Sequence, residues 1–441
     1  MLQIGSVRVR GAIMKTPIRN LAGLVALAVA GFALANSASA YTLKTLYSFC
    51  KETDCADGQT PAGLYQDPNG RLVGVTFEGA ANNGGTVFQL VPNATKSKWK
   101  FKTLYSFCAD PTCPVGSQAF DAVIEDVNGN LYGTTTRVGP GGTGAVFRIS
   151  PRGKASVLYS FCVETDCAGY NSFGLTYQGA ATGALYDGVS PLYGAAGGGG
   201  AYSNGTVFEL DPVPGKSKFK TKVLYSFCPQ SGCADGSSPA GTLLVDAVGN
   251  LFGMTGSGGA AGSGVAFELT PNSKKTKWTE TPLYSFCQQP SCADGQYGVG
   301  ALAIDAESNL FGTTSAGGNM FGVAFRLVPN GANSTETVLY SFCASGCSDG
   351  AQPTGGLALD ANGSLFGTTY FGGQFSQGGG TVFKIDGTTF QSLYSFCAQS
   401  GCKDGATPAA AVSLDASGNV FGTTSAGGAH HNAGTVFELV P

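Results

Sequence analysis

Fourteen cysteines, 28 acidic residues and only two histidines limit the chemistry open to this 441-residue chain. His430 and His431 are adjacent in a glycine-rich stretch, so a Ser-His-Asp relay would have to be built around one of them. The cysteines fall into seven close pairs: Cys50 with Cys55, Cys108 with Cys113, Cys162 with Cys167, Cys228 with Cys233, Cys287 with Cys292, Cys343 with Cys347, and Cys397 with Cys402. Two cysteines in one tight loop can meet the geometry of a disulfide. A zinc site would need two pairs brought together, and each pair here stands alone in its own repeat. The pairs are therefore read as local disulfides, the usual fate of such spacing outside the reducing cytosol.

The acids come in two regular sets and a few outliers. Five cysteine loops end in Asp-Gly, at Asp57, Asp235, Asp294, Asp349 and Asp404. Calcium takes six to eight oxygen ligands, and no single loop alternates acids as a self-contained calcium site does. Asp-Gly is also ordinary turn chemistry, with Asp bonding the backbone and Gly at positive φ. No cofactor is expected, calcium being the one ion these loops bring to mind. A second set, Asp67, Asp126, Asp246, Asp305, Asp360 and Asp415, opens D-x-x-G turns. It approaches the S-x-D-x-G-x-x-W/F box of sialidase propellers with one residue too many before the glycine. The five arginines beyond residue 40 (Arg71, Arg137, Arg148, Arg152 and Arg326) do not make an inner-strand triad, so sialidase chemistry is not expected. Asp121 is the outlier, a charge where other copies of the pattern have Gly63, Gly241 or Gly355. Glu125 precedes Asp126, and neighbours on a strand point to opposite faces. No catalytic residue is assigned.

What must position these residues is a repeat. LYSFC begins at Leu46, Leu104, Leu158, Leu224, Leu283, Leu339 and Leu393. The unit that follows reads GGLALDANGSLFGTT from Gly355 and GTVFKI from Gly380 in its cleanest copy. Alternating apolar residues and D-x-x-G turns predict four short strands per repeat. Repeats of this length with four strands are propeller blades. The Gly/Ala-rich strand is expected innermost, where backbones crowd, and the LYSF strand outermost. Residues 42–49 then supply an outer strand with no blade of its own, and 434–440 end a blade that lacks one. The expected fold is all-β: a seven-bladed β-propeller over residues 41–441, its ring closed by the N-terminal strand.

LYSFC, the GNLFGTT hairpin and GTVFEL resemble the GloVer-type tandem repeat of bacterial choice-of-anchor exported proteins, over essentially all of residues 41–441. That resemblance implies an exported repeat scaffold and no particular reaction. Relatives are named for varied C-terminal surface anchors, and none is expected after Pro441.

Residues 1–40 carry Arg8, Arg10, Lys15 and Arg19, then an apolar run from Leu21 to Ala35, then Ala38-Ser39-Ala40. This predicts a signal peptide cleaved after Ala40; the run is shorter than the roughly 20 residues of a spanning helix. Taking those four charges from the 25 Lys and Arg leaves 21 against 28 acids, a net charge of about minus seven, which argues against nucleic-acid binding. The runs beginning at Lys96, Lys216 and Lys274 read as charged strand edges that deter aggregation. The expectation is a monomer in the periplasm or outside the cell, with no membrane insertion.

In an antiparallel blade, the loop after the second strand opens on the same face as the link to the next blade, here the cysteine loop. The second-strand loops carry Phe77, Glu78, Asn82 and Asn83, then Arg137, then Tyr202 and Asn204, then Met320 and Phe321. The last two bring Tyr370, Phe371, Gln374 and Phe375, and finally His430, His431 and Asn432. Aromatics mixed with amides on loops over a rigid scaffold point to a binding or cell-surface interaction module for carbohydrate or protein. The alternative is a polysaccharide lyase or glycoside hydrolase using Asp121, Glu125 or Glu78.

Overall fold

The computed structural model describes residues 41–139, 141–162, 167, 169–213, 218–331 and 334–441. The expected leader lies outside the described residues. Among them there is no α-helix, only strands and short 3-10 turns, and no helix long and apolar enough to cross a membrane.

The strands form seven antiparallel sheets, six of them ordered from inner to outer edge as the sequence runs. Blade 1 is Gln59–Gln66, Leu72–Glu78, Thr86–Pro92 and Trp99–Ser106. Blade 7 combines Ser413–Leu414, Val420–Thr424 and Thr435–Val440 with Thr42–Ser48 as its outer strand. Thr42 pairs with Val440 and Ser48 with Thr435, so the two ends of the chain share one blade.

Each motif has a packing reason. The phenylalanine of LYSF (Phe49, Phe107 and their equivalents) is fully buried in all seven repeats, as is that of TVF. The glycine of LFGTT lies directly across from the TVF ring, Gly74 opposite Phe88. A Cβ on Gly74 would come within 2.5 Å of that ring, which is why the second strand carries Gly where the third carries Phe. In every blade the third and outer strands slip register by one residue near the leucine of LYSF. Such a bulge re-aims the next side chain, and here that is the tyrosine.

The core has seven apolar clusters, and each joins two neighbouring blades. An open row of seven blades would have six such interfaces. The seventh packs Phe49, Phe421 and Val436 of blade 7 against Leu64, Leu72 and Phe88 of blade 1. Ring closure therefore buries the same kind of surface at the seam as elsewhere, about 25 cal/mol for each Å² taken from water.

Candidate functional site

All fourteen cysteines form the local disulfides expected of them. Cys50 is bonded to Cys55, Cys108 to Cys113, Cys162 to Cys167 and Cys228 to Cys233. Cys287 is bonded to Cys292, Cys343 to Cys347 and Cys397 to Cys402, and across the seven bridges the Cα atoms are 3.7 to 4.2 Å apart. The carbonyl of the second cysteine accepts a backbone N–H from the second-strand loop in six repeats, for example from Ala80 to Cys55 and from Gly373 to Cys347. Both loop sets therefore meet on one face. Beneath five of the disulfide loops the LYSF tyrosine donates its hydroxyl to the Asp of Asp-Gly: Tyr47 to Asp57 at 2.7 Å, Tyr284 to Asp294 at 2.8 Å, Tyr394 to Asp404 at 2.8 Å, with Tyr225 to Asp235 and Tyr340 to Asp349 alike. The same carboxylates accept backbone N–H groups of the loop, such as Gln288 and Gln289 on Asp294. These Asp residues are loop braces, and burial together with the Asp partner pushes the tyrosine hydroxyls well above their ordinary pKa. The D-x-x-G aspartates likewise cap their own turns, as Asp246 does for Val248 and Asn250.

Each chain segment enters its inner strand through a non-glycine residue in left-handed conformation: Thr60, Gln118, Asn171, Ser238, Tyr297, Gln352 and Thr407, all with φ between 52° and 60°. That conformation costs roughly 1 kcal/mol or more. In six of the seven the N–H of the residue reaches back to the preceding blade and holds it there, as from Gln118 to the Gly84 carbonyl and from Gln352 to that of Phe321. Thr60 makes the same bond to Ala433 at 2.9 Å, across the seam.

Inside this ring of entries lies a cavity of about 690 Å³. The inner strands approach so closely below it that a Cβ on Gly241 would come within 2.3 Å of the Gly300 carbonyl, and one on Gly63 within 2.3 Å of the Ala122 nitrogen. The position just before these glycines, or before Asp121 and Ala410 in blades 2 and 7, lines the cavity in every blade. It is small or β-branched in five (Ala62, Ala240, Val299, Thr354 and Ala409) and phenylalanine in blades 2 and 3, at Phe120 and Phe173. Phe77 meets Phe120 edge-to-face at 6.0 Å, and Tyr370 closes another side. Asp121 lies in the wall between the two phenylalanines' blades. Its carboxylate accepts N–H bonds from Ala122 at 2.8 Å and Gly174 at 3.2 Å, and the Thr242 hydroxyl at 2.5 Å, so it ties three blades together. Glu78 is the other acid of the lining and accepts a bond from Gln59.

The sequence-derived candidates separate accordingly. Phe77, Tyr370 and Asp121 line the cavity. Tyr202, Phe371 and Phe375 stand exposed farther out, with Arg137 exposed and Phe321 partly covered. His430 and His431 border a shallow depression beside the loop from Cys50 to Cys55. Several loop amides are engaged within the scaffold: Asn82 donates to the Cys108 carbonyl, Asn83 accepts from Gly79, Asn204 donates to Tyr202, and Asn432 accepts from Gly427. Glu125 is buried beside Arg71 of the neighbouring blade, with N–O contacts of 2.5 and 2.6 Å, and Arg71 also holds Asp67. Phe120 and Phe173 escape a loop-centred reading because they sit within the inner-strand segments; the departure from small residues in their column was the available signal.

The Gloeobacter/Verrucomicrobia repeat matches residues 30–191, 180–358 and 322–441. The chain belongs to this repeat family. No curated protein matches it. Solved structures that resemble it include a putative oxidoreductase (glucose dehydrogenase) from Thermus thermophilus, 14% identical, covering 91% of this chain and 100% of that one, TM-score 0.40. Another is a PQQ-bound aldose sugar dehydrogenase from Streptomyces coelicolor, also 14% identical, covering 91% and 98%, TM-score 0.42. An endo-arabinase from Bacteroides thetaiotaomicron is 14% identical over 67% of this chain and 96% of that one, TM-score 0.33. At these TM-scores none bears on what this chain does.

Proposed function

We propose that this chain is an exported binding module that holds a carbohydrate in the axial cavity on the disulfide-rimmed face. The observation that supports this reading most is the break in seven-fold regularity: Phe120 and Phe173 in the inner-strand segments, Asp121 beside Phe120, and the two loop aromatics Phe77 and Tyr370 all line the same cavity. Rings of this kind offer flat apolar faces for the C–H face of a sugar. The hydroxyls of Thr60, Thr242, Thr354 and Ser425 and the inner-strand backbone supply polar groups around it. The leader and seven disulfides support export, with residues 1–40 removed as a signal peptide and 41–441 forming the mature domain.

A glycan array probed with residues 41–441 tests the reading. Binding to a defined set of glycans, lost in a Phe120→Ala/Phe173→Ala variant, is the expected result; an array without hits contradicts it. Because Glu78 and Asp121 line one cavity, hydrolysis by paired carboxyls is a second reading. Release of reducing ends from a bound glycan, abolished by Glu78→Gln, would favour it over simple binding.

A further inference from the structure

We propose that the saccharide held in the axial cavity carries a protonated amine, an amino sugar rather than a neutral or acidic one. This rests on the binding reading above and narrows it to a ligand class.

The charge balance of the cavity points this way. Among the described residues its lining contains two carboxylates, Glu78 and Asp121, and no lysine, arginine or histidine. Among the described residues neither acid has an ion-pair partner; the ion pairs are Lys44 with Glu438, Arg71 with Asp67 and Glu125, and Lys96 with Asp415. Glu125, four residues beyond Asp121, shows the contrast, since its charge is answered by Arg71. The donors on Asp121 are neutral: two backbone N–H groups and the Thr242 hydroxyl. They fix the carboxylate in place and bring no positive charge to it.

The walls agree with the charge. Phe77, Phe120, Phe173 and Tyr370 line the same cavity as the acids, and the negative faces of aromatic rings attract a desolvated ammonium. An acidic sugar would meet two carboxylates with no cation to offset them, in surroundings of low polarity. A neutral sugar would leave Asp121 unanswered. A metal ion needs a shell of oxygen ligands, which a wall of phenyl rings and alanines does not offer.

The test compares the β-1,4-linked trisaccharide of glucosamine with cellotriose, which differs only in having a hydroxyl for each ammonium. Titration calorimetry at pH 5.5 with the disulfide-bonded mature chain should show the amino sugar binding at least about tenfold tighter. Asp121→Asn should bring the two within about threefold of each other. Phe120→Leu, at a half-exposed position where folding is not at stake, should weaken the amino sugar as well. Equal affinities in the unaltered protein would overturn the amine proposal and leave carbohydrate binding standing. Failure of both probes, with neutral glycans bound on the array, would overturn it in the same way. Failure of both with a blank array would remove the proposal and the binding reading together.

Discussion

Replacing Phe49 by alanine measures whether the ring is closed in solution. Phe49 follows the N-terminal strand and is fully buried, with ring centroids of Phe88, Tyr47 and Phe101 at 5.0, 5.2 and 6.0 Å. Its backbone N–H donates to the Gly434 carbonyl at 3.0 Å. Phe107, its equivalent inside the chain, is equally buried and meets Tyr105 and Phe147, each at 5.2 Å. Truncating a buried phenylalanine costs about 3 to 5 kcal/mol through lost burial and the cavity left behind. If the seam is an interface like the others, Phe49→Ala and Phe107→Ala should each lose that amount and agree within about 1 kcal/mol. Denaturant unfolding of the two variants, with the slope checked for a single cooperative transition, gives the comparison. A Phe49→Ala cost below about 1 kcal/mol beside a full cost for Phe107→Ala would show a frayed terminal strand and refute ring closure.

Burial, with Asp235 beside it, pushes Glu280 up to about 8, and burial with Asp294 pushes Glu336 up to about 7. A carboxyl raised on folding contributes stability that is complete below about pH 4.5 and is lost as pH rises toward the folded value. Glu280→Gln should therefore flatten the pH dependence of the melting temperature between about pH 5 and 8 and stabilise the protein above that range by on the order of 1 kcal/mol; an unchanged slope would contradict this. Arg71→Met leaves Glu125 and Asp67 without their cation and should cost about 3 kcal/mol, much of it recovered in Arg71→Met/Glu125→Leu; a single variant as stable as the parent would contradict the inter-blade pair. Asp294→Asn weakens the Tyr284 hydroxyl bond and the loop N–H bonds and should cost about 1 to 3 kcal/mol in denaturant unfolding, whereas a cost near zero would mean the acid is not a loop brace.

The scaffold was legible because its motifs are packing rules in disguise. LYSF predicts an outer strand, and the structure adds that its leucine is bulged and its tyrosine reaches the Asp-Gly carboxylate. The spacing of the cysteines predicts bridges within each loop, and the bonds from Cys108 to Cys113 and from Cys397 to Cys402 are such bridges. Small inner-strand residues predict crowding at the axis, and Gly63, Gly241 and Gly355 have no room for a Cβ. The offset of residues 42–49 predicts the closed blade that Thr42–Ser48 completes. The site was legible only in part. Asn83 and Asn432 look like recognition amides in sequence but close their own loops, since loop-bracing and ligand-binding amides have the same composition signature. Asp121 stood out as a charge among glycines. Phe120 did not, because an aromatic in a strand segment ordinarily signals core, and its half-exposure at the axis depends on where seven blades converge.

In the proposed reading, ligand is held at the axis and not on the outer rim. That placement is tested most directly by titrating the strongest array glycan against two double variants, Phe120→Ala/Phe173→Ala at the axis and Tyr202→Ala/Phe375→Ala on the rim. The axial variant should lose at least about tenfold in affinity while the rim variant stays within about twofold. Loss confined to the rim variant would rule out an axial site.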